Sequence, residues 1–154
     1  QKNYSFDFGE FILSSPNLTD IIVTELSHFL LEDGNVLHAL KEDEIGYNGF
    51  GEVYFSYINS GAVKAWKLHK RMTLNLVVPL GNVRFVFCDP LNRGHYRVEE
   101  IGEANYVRLT VPPKIWFGFQ GISSRSSLIV NIADLKHDPN EVKRKEIAAL
   151  CYKW

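Results

Sequence analysis

Nine short apolar runs, broken by Gly, Pro, Asn and Asp, constrain this chain more than any other feature. The runs are Ile21–Leu26, Val36–Leu40, Glu52–Asn59, Val63–His69, Thr73–Pro79, Val83–Cys88, Val107–Val111, Trp116–Gln120 and Leu128–Ala133. They are rich in Val, Ile, Phe and Tyr, which suit a pleated, half-buried surface. Between them stand Asp33-Gly34, Asn59-Ser60-Gly61, Leu80-Gly81-Asn82, Asn92-Arg93-Gly94 and Pro112-Pro113, all turn formers. Many short strands at near-regular spacing predict an all-β sandwich or closed barrel. One helix is expected near the end. Asp138-Pro139 opens it, and Val142, Ile147, Ala148 and Leu150 form its apolar stripe against Lys143, Arg144 and Lys145.

With 154 residues and a hydrophobic fraction of 45%, the chain predicts a single domain over 1–154. A net charge of −1 gives no electrostatic case for nucleic acid or an anionic membrane. No apolar run reaches the ~18 residues of a membrane span, and no signal peptide opens the chain, so the expected location is cytoplasmic. Cys88 and Cys151 form no C-x-x-C pair and read as buried, reduced thiols.

The central segment carries a spaced frame. Gly61 is followed after five residues by Lys67-Leu68-His69, after four more by Leu74, and after six more by Gly81. On a strand, residues two apart share a face, so Lys67 and His69 point to the same side. Trp66 has the opposite parity and is expected outside the barrel or at a subunit contact. Gly81 suits a tight turn.

This spacing resembles the first motif of the cupins, in which His-x-His stands at Lys67 and His69 and a Glu at Leu74. A second cupin motif is similar to Pro112-Pro113-Lys114-Ile115-Trp116-Phe117, with Phe117 in the place of a His. Lysine near neutral pH is a poor metal ligand, and Leu and Phe ligate nothing. The resemblance, with three of its ligands replaced, implies a cupin jelly-roll barrel with a short C-terminal helix, no metal and no cofactor.

Two metal-free branches are closest in pattern. The dTDP-4-dehydrorhamnose 3,5-epimerase family is similar at Gly61 to Lys64, at Val111-Pro112-Pro113 through Gly118-Phe119, at Asp134 through Pro139, and loosely at Asp33 through His38. The dTDP-sugar 3,4-ketoisomerases carry Val-Arg-Gly-x-His-Ala-His-Lys, whose register Val63 through Lys70 matches without a gap. This chain departs from both. The epimerase Tyr falls among Leu135, Lys136 and His137, its second His is Phe117, and its Lys is Leu74. The ketoisomerase pair keeps only His69, with Lys67 in place of its partner.

The resemblance implies an epimerase or ketoisomerase of a nucleotide-linked 4-keto-6-deoxy sugar, serving surface polysaccharide synthesis. His69 is the candidate general base, because imidazole titrates near neutral pH. Lys67 or Lys64 would stabilise the enolate oxygen, or Lys67 would donate a proton. Trp116 and Phe119 are candidates for stacking on base or sugar, and Arg71, Arg84 and Arg108 for holding the pyrophosphate. Tyr47, Tyr54 and Tyr57 each offer a relocated acid, and the spacing selects none. The alternative is a sugar-binding cupin that has lost its acid–base pair. The expected partners are a nucleotide-sugar substrate and a second copy of the chain, a homodimer with an N-terminal strand reaching the neighbouring sheet.

Overall fold

The computed structural model describes residues 16–154. Two five-stranded antiparallel sheets face each other. The first has the order β1 (Ile22–Glu25), β9 (Val107–Val111), β6 (Leu74–Leu80), β11 (Ser127–Ala133), β4 (Glu52–Ile58). The second has the order β12 (Val142–Arg144), β5 (Val63–His69), β10 (Trp116–Gly121), β7 (Asn82–Cys88), β8 (Tyr96–Gly102). A small ribbon pairs β2 (His28–Phe29) with β3 (Val36–Leu37). This is the expected all-β jelly roll.

The core follows from strand alternation. Leu74, Leu76 and Val78 of β6, with Leu109 and Val111 of β9, meet Val83, Phe85 and Phe87 of β7 and Phe117 and Phe119 of β10. Leu74 is spent here, 1% exposed, and lines neither of the cavities described below. Gly81 makes the expected tight turn from β6 to β7. Its φ is +76°, and a Cβ there would lie 2.2 Å from Ser127 Oγ.

Three sequence expectations change. The helix from Asp138 does not form. Asp138 Oδ1 instead accepts from the Asn140 backbone N–H at 2.9 Å, closing a turn. The chain then runs as β12 along β5, with Val142 opposite His69 and Arg144 opposite Lys67. Helical geometry is confined to a 3-10 turn, Ile147–Leu150. The unpaired edge of β5 outcompetes the local helical pattern. Second, β8 and the ribbon strand β2 were not legible as apolar runs. Third, Cys151 is exposed, whereas Cys88 is buried. Trp66 does lie away from the core cluster, but it is 1% exposed, covered by the chain's own C-terminal segment. Its Nε1 donates to the Ile147 carbonyl at 3.0 Å, and its ring packs on Tyr152 and Trp154.

Candidate active site

Two cavities adjoin between β4 and β5, sharing Lys67 and Arg144 in their walls. The smaller, about 390 Å³, is lined by Glu52, Tyr54, Met72, His137, Asp138 and Glu141 together with Lys67, His69 and Arg144. The larger, about 670 Å³, adds Ser56, Lys64, Phe119, Lys145 and Glu146. Strand parity supplies one wall. Glu52, Tyr54 and Ser56 alternate along β4 and turn inward, while Val53, Phe55 and Tyr57 turn out.

His69 is the most constrained group. Its Nδ1 lies 2.7 Å from Glu141 Oε2, and its ring lies on Phe117, with centroids 6.4 Å apart. Glu141 Oε1 accepts from the backbone N–H groups of Arg71 at 2.5 Å and Met72 at 2.9 Å. Burial works to raise the Glu141 carboxyl, but these N–H donors and His69 outweigh it and hold it below the ordinary carboxylate range. An ionised carboxylate only accepts, so the shared proton sits on Nδ1. Nε2 is then left with its lone pair. It is buried and has no hydrogen-bond partner among the described residues. Burial lowers the His69 pKa, against the opposing pull of Glu141, with Lys67 and Arg144 adding to the lowering. Neutral imidazole with a free Nε2 is a general base in form.

Lys67 stands opposite Phe117 in the β5–β10 register. Its Nζ lies 5.1 Å from the Phe117 centroid and 5.7 Å from that of Phe119. It makes no ion pair among the described residues. Desolvation, then the charges of Arg144 and Lys64, bring its pKa down to about 8. Tyr54 enters from the other sheet. Its hydroxyl accepts from Asn131 Nδ2 at 2.6 Å, and burial raises its pKa despite that bond.

Of the residues singled out by sequence, His69, Lys67, Lys64 and Phe119 converge here. Four others do not. The Arg71 side chain is exposed and lines neither cavity, although its backbone N–H holds Glu141. Arg84 pairs with Glu100 at 2.7 Å on the outer face of β7. Arg108 is fully buried and binds the loop that follows β3, through Glu44 and the carbonyls of Ala39 and Ile45. Trp116 lies under Lys145 Nζ, 4.5 Å from the ring centroid, outside both cavities. The sequence does not point to Glu141, Arg144 or Glu52, and it offers Tyr54 only as one of three tyrosines. The alternation Glu52-x-Tyr54-x-Ser56 was the available signal for the β4 wall. Glu141 and Arg144 were hidden by the helical reading of their segment. Among the described residues no group of three or more His, Cys, Asp or Glu is placed to hold a metal ion.

No family model and no curated protein matches the chain. Solved structures do. The chain is similar to a dTDP sugar isomerase from Desulfovibrio desulfuricans G20 at 32% identity, over 88% of this chain and 90% of that one, with a TM-score of 0.82. It shares its fold with QdtA, a sugar 3,4-ketoisomerase from Thermoanaerobacterium thermosaccharolyticum solved with TDP, at 16% identity, 83% and 90% coverage and a TM-score of 0.70. It also shares its fold with dTDP-4-dehydrorhamnose 3,5-epimerase from Bacillus anthracis str. Ames, at 17% identity, 92% and 88% coverage and a TM-score of 0.75. The cupin barrel, the frame from Gly61 to Gly81 and the identity over nine-tenths of the first of these chains lead to one conclusion: the chain belongs to the family of dTDP-sugar isomerases and epimerases.

Proposed function

We propose that this chain epimerises a nucleotide-linked 4-keto-6-deoxy sugar, with dTDP as the carrier. The observation that carries the reading is the unpaired, buried Nε2 of His69, backed by Glu141 and sharing a cavity with Tyr54 from the opposite sheet. His69 removes the proton beside the ketone. The electron pair moves into the carbonyl, and the Lys67 ammonium meets the charge that develops on oxygen. Tyr54 returns a proton to the carbon from the other side, which inverts the centre. The phenolate recovers its proton from water, and His69 releases the one it took. In the larger cavity Lys64, Arg144 and Lys145 surround space suited to a pyrophosphate, and Phe119 offers an aromatic face. The product would feed surface polysaccharide synthesis.

A second reading is ketoisomerisation, favoured by the Val63–Lys70 register and by the likeness to the isomerase at 32% identity. There His69 alone would carry the proton along one face of the ring. Proton NMR in deuterium oxide with dTDP-4-keto-6-deoxyglucose separates the readings. Epimerisation gives deuterium beside the ketone with inversion, and ketoisomerisation moves the carbonyl. Binding without any deuterium uptake sinks both and leaves a sugar-binding protein.

The reading includes a homodimer. It is supported by β4, a sheet-edge strand whose outward Val53, Phe55 and Tyr57 are 46%, 64% and 63% exposed. An apolar row on an open edge is a surface that a soluble chain normally covers. The N-terminal strand implied for subunit exchange falls outside the described residues. Sedimentation velocity tests the assembly, and a monomer at micromolar concentration would remove it. Among the described residues no helix is long and apolar enough to cross a membrane.

A further inference from the structure

We infer that Asn131 is a positioning residue for Tyr54, fixing the phenol so that its hydroxyl hydrogen points into the cavity and away from the sheet. The inference rests on the proposed role of Tyr54 as proton donor and extends it to a residue that touches no substrate.

Asn131 lies in the middle of β11, between β4 and β6, directly opposite Tyr54 on one side and Leu76 on the other. Residues opposed in an antiparallel pair share a face, so both side chains point inward. Asn131 is 2% exposed, in an inward row with Ser127, Ile129 and Ala133, and its immediate neighbours in that row, Ile129 and Ala133, are apolar. A buried amide among apolar neighbours is costly unless it has a specific use. Its Nδ2 donates to the Tyr54 hydroxyl oxygen at 2.6 Å. Its Oδ1 is buried and has no partner among the described residues. The amide therefore forgoes its own acceptor bond while keeping the bond to the phenol.

The direction of that bond decides the chemistry. A phenol oxygen that accepts from Asn131 directs its own hydrogen elsewhere, and the cavity is where Tyr54 is open. The same N–H group stabilises the phenolate left after proton donation. It also opposes the upward push of burial on the Tyr54 hydroxyl. Tyr47 and Tyr57 have no such amide partner among the described residues, which separates Tyr54 from the two other tyrosines that the sequence offers.

The test uses Asn131→Leu and the isosteric Asn131→Asp. Tyrosine labelled at the ring carbon that bears oxygen gives an NMR titration of Tyr54, assigned by its loss in Tyr54→Phe. Both variants are expected to titrate at higher pH than the parent. With a 4-keto dTDP-sugar in deuterium oxide, deuterium uptake by the His69 step is expected to hold within about threefold. Inverted product is expected to fall about tenfold to a hundredfold. A merely structural role would lower both rates together, and that result overturns the inference. A Tyr54 titration that is unmoved or moves down also overturns it, because the amide carbonyl would then face the phenol. If Asn131→Leu fails to fold, Asn131→Asp, equal in volume, supplies both readouts. A shifted titration with unchanged inversion upholds the contact and rejects Tyr54 as the acid instead.

Discussion

Arg108 and Lys67 are both cations drawn out of water, on facing sheets, and they are held in opposite ways. Arg108 is 0% exposed and its guanidinium is surrounded by acceptors: Glu44 Oε2 at 2.6 Å, the Ala39 carbonyl at 2.8 Å and the Ile45 carbonyl at 2.9 Å. That hydrogen bond holds the Glu44 carboxyl below its ordinary range. Lys67 has two phenyl faces and two other cations for company and no carboxylate in ion-pair contact among the described residues. Arg108 directs its charge to partners within the fold, with only Nε left unbonded among the described residues. Lys67 bears the cost of burial without such partners, and an anionic ligand is what would offset that cost.

The largest effect is expected at Arg108. Arg108→Met leaves Glu44 and two carbonyls without their donor and opens the loop from Ala39 to Gly51. Urea unfolding should show a loss of about 3 kcal/mol. Arg108→Lys keeps the charge but not the fork, and should recover part of it. A loss below about 1 kcal/mol would erase the distinction between the two cations.

Lys67 should answer with the opposite sign. Lys67→Met is expected to lower turnover about a hundredfold to a thousandfold, as losing a donor to a developing oxyanion does. It should also raise stability. The folded-state pKa of Lys67 is about 8, below the 10.5 of a free lysine, so its ammonium penalises the fold at pH values below about 8. That penalty fades as pH rises from about 8 to the free value, and Lys67→Met should lack this rise in stability. In the parent protein, turnover should fall as pH climbs through about 8, where Lys67 loses its proton. Lys67→Arg should carry activity beyond that point, since guanidinium stays charged. A Lys67→Met protein that turns over normally would end the oxyanion role.

Glu141 stands between these two cases, since it is fully paired and sits in the site. Glu141→Gln should lower turnover about tenfold to a hundredfold, because the imidazole loses the partner that fixes its tautomer. The pH profile gives the sharper reading. Burial already lowers the His69 pKa, so activity should persist below the ordinary histidine value of 6.5 before it falls. Glu141 works against that lowering, so Glu141→Gln should move the acid limb further down. An acid limb that moves up would show that another group titrates there.

The same contrast explains what the sequence let through. Two of the nine expected strands, Val63–His69 and Val107–Val111, have the observed bounds, the first opened by the turn at Gly61 and the second closed by Pro112-Pro113. β8 was missed because it is an edge strand broken by Arg97, Glu99 and Glu100, which pair with one another, with Arg84 and with the carbonyls of Leu18 and Ile21. Lys67 and His69 were legible because glycine spacing fixes their face. Glu141 was not, because it reaches His69 from 72 residues away on a segment whose local pattern is helical. Arg108 was assigned to a pyrophosphate because charge alone does not say which side of a strand is covered. All five residues of β9 are buried, so its polar positions face protein rather than solvent.

Arg84 provides the smallest effect and the cleanest control. It was grouped with Arg108 as a phosphate-binding candidate, but its ion pair with Glu100 is partly open to water, the two side chains being 34% and 51% exposed. A pair of that kind contributes little, about 0–1 kcal/mol, and salt screens it. Arg84→Ala should therefore shift the unfolding midpoint slightly at low salt and not at all near 1 M. Because Arg84 lines neither cavity, the KM for a dTDP-sugar should hold within about twofold, close to the error of such a measurement. A rise in KM of tenfold or more would place the pyrophosphate on the outer face of β7 and move the whole ligand away from Lys64 and Arg144.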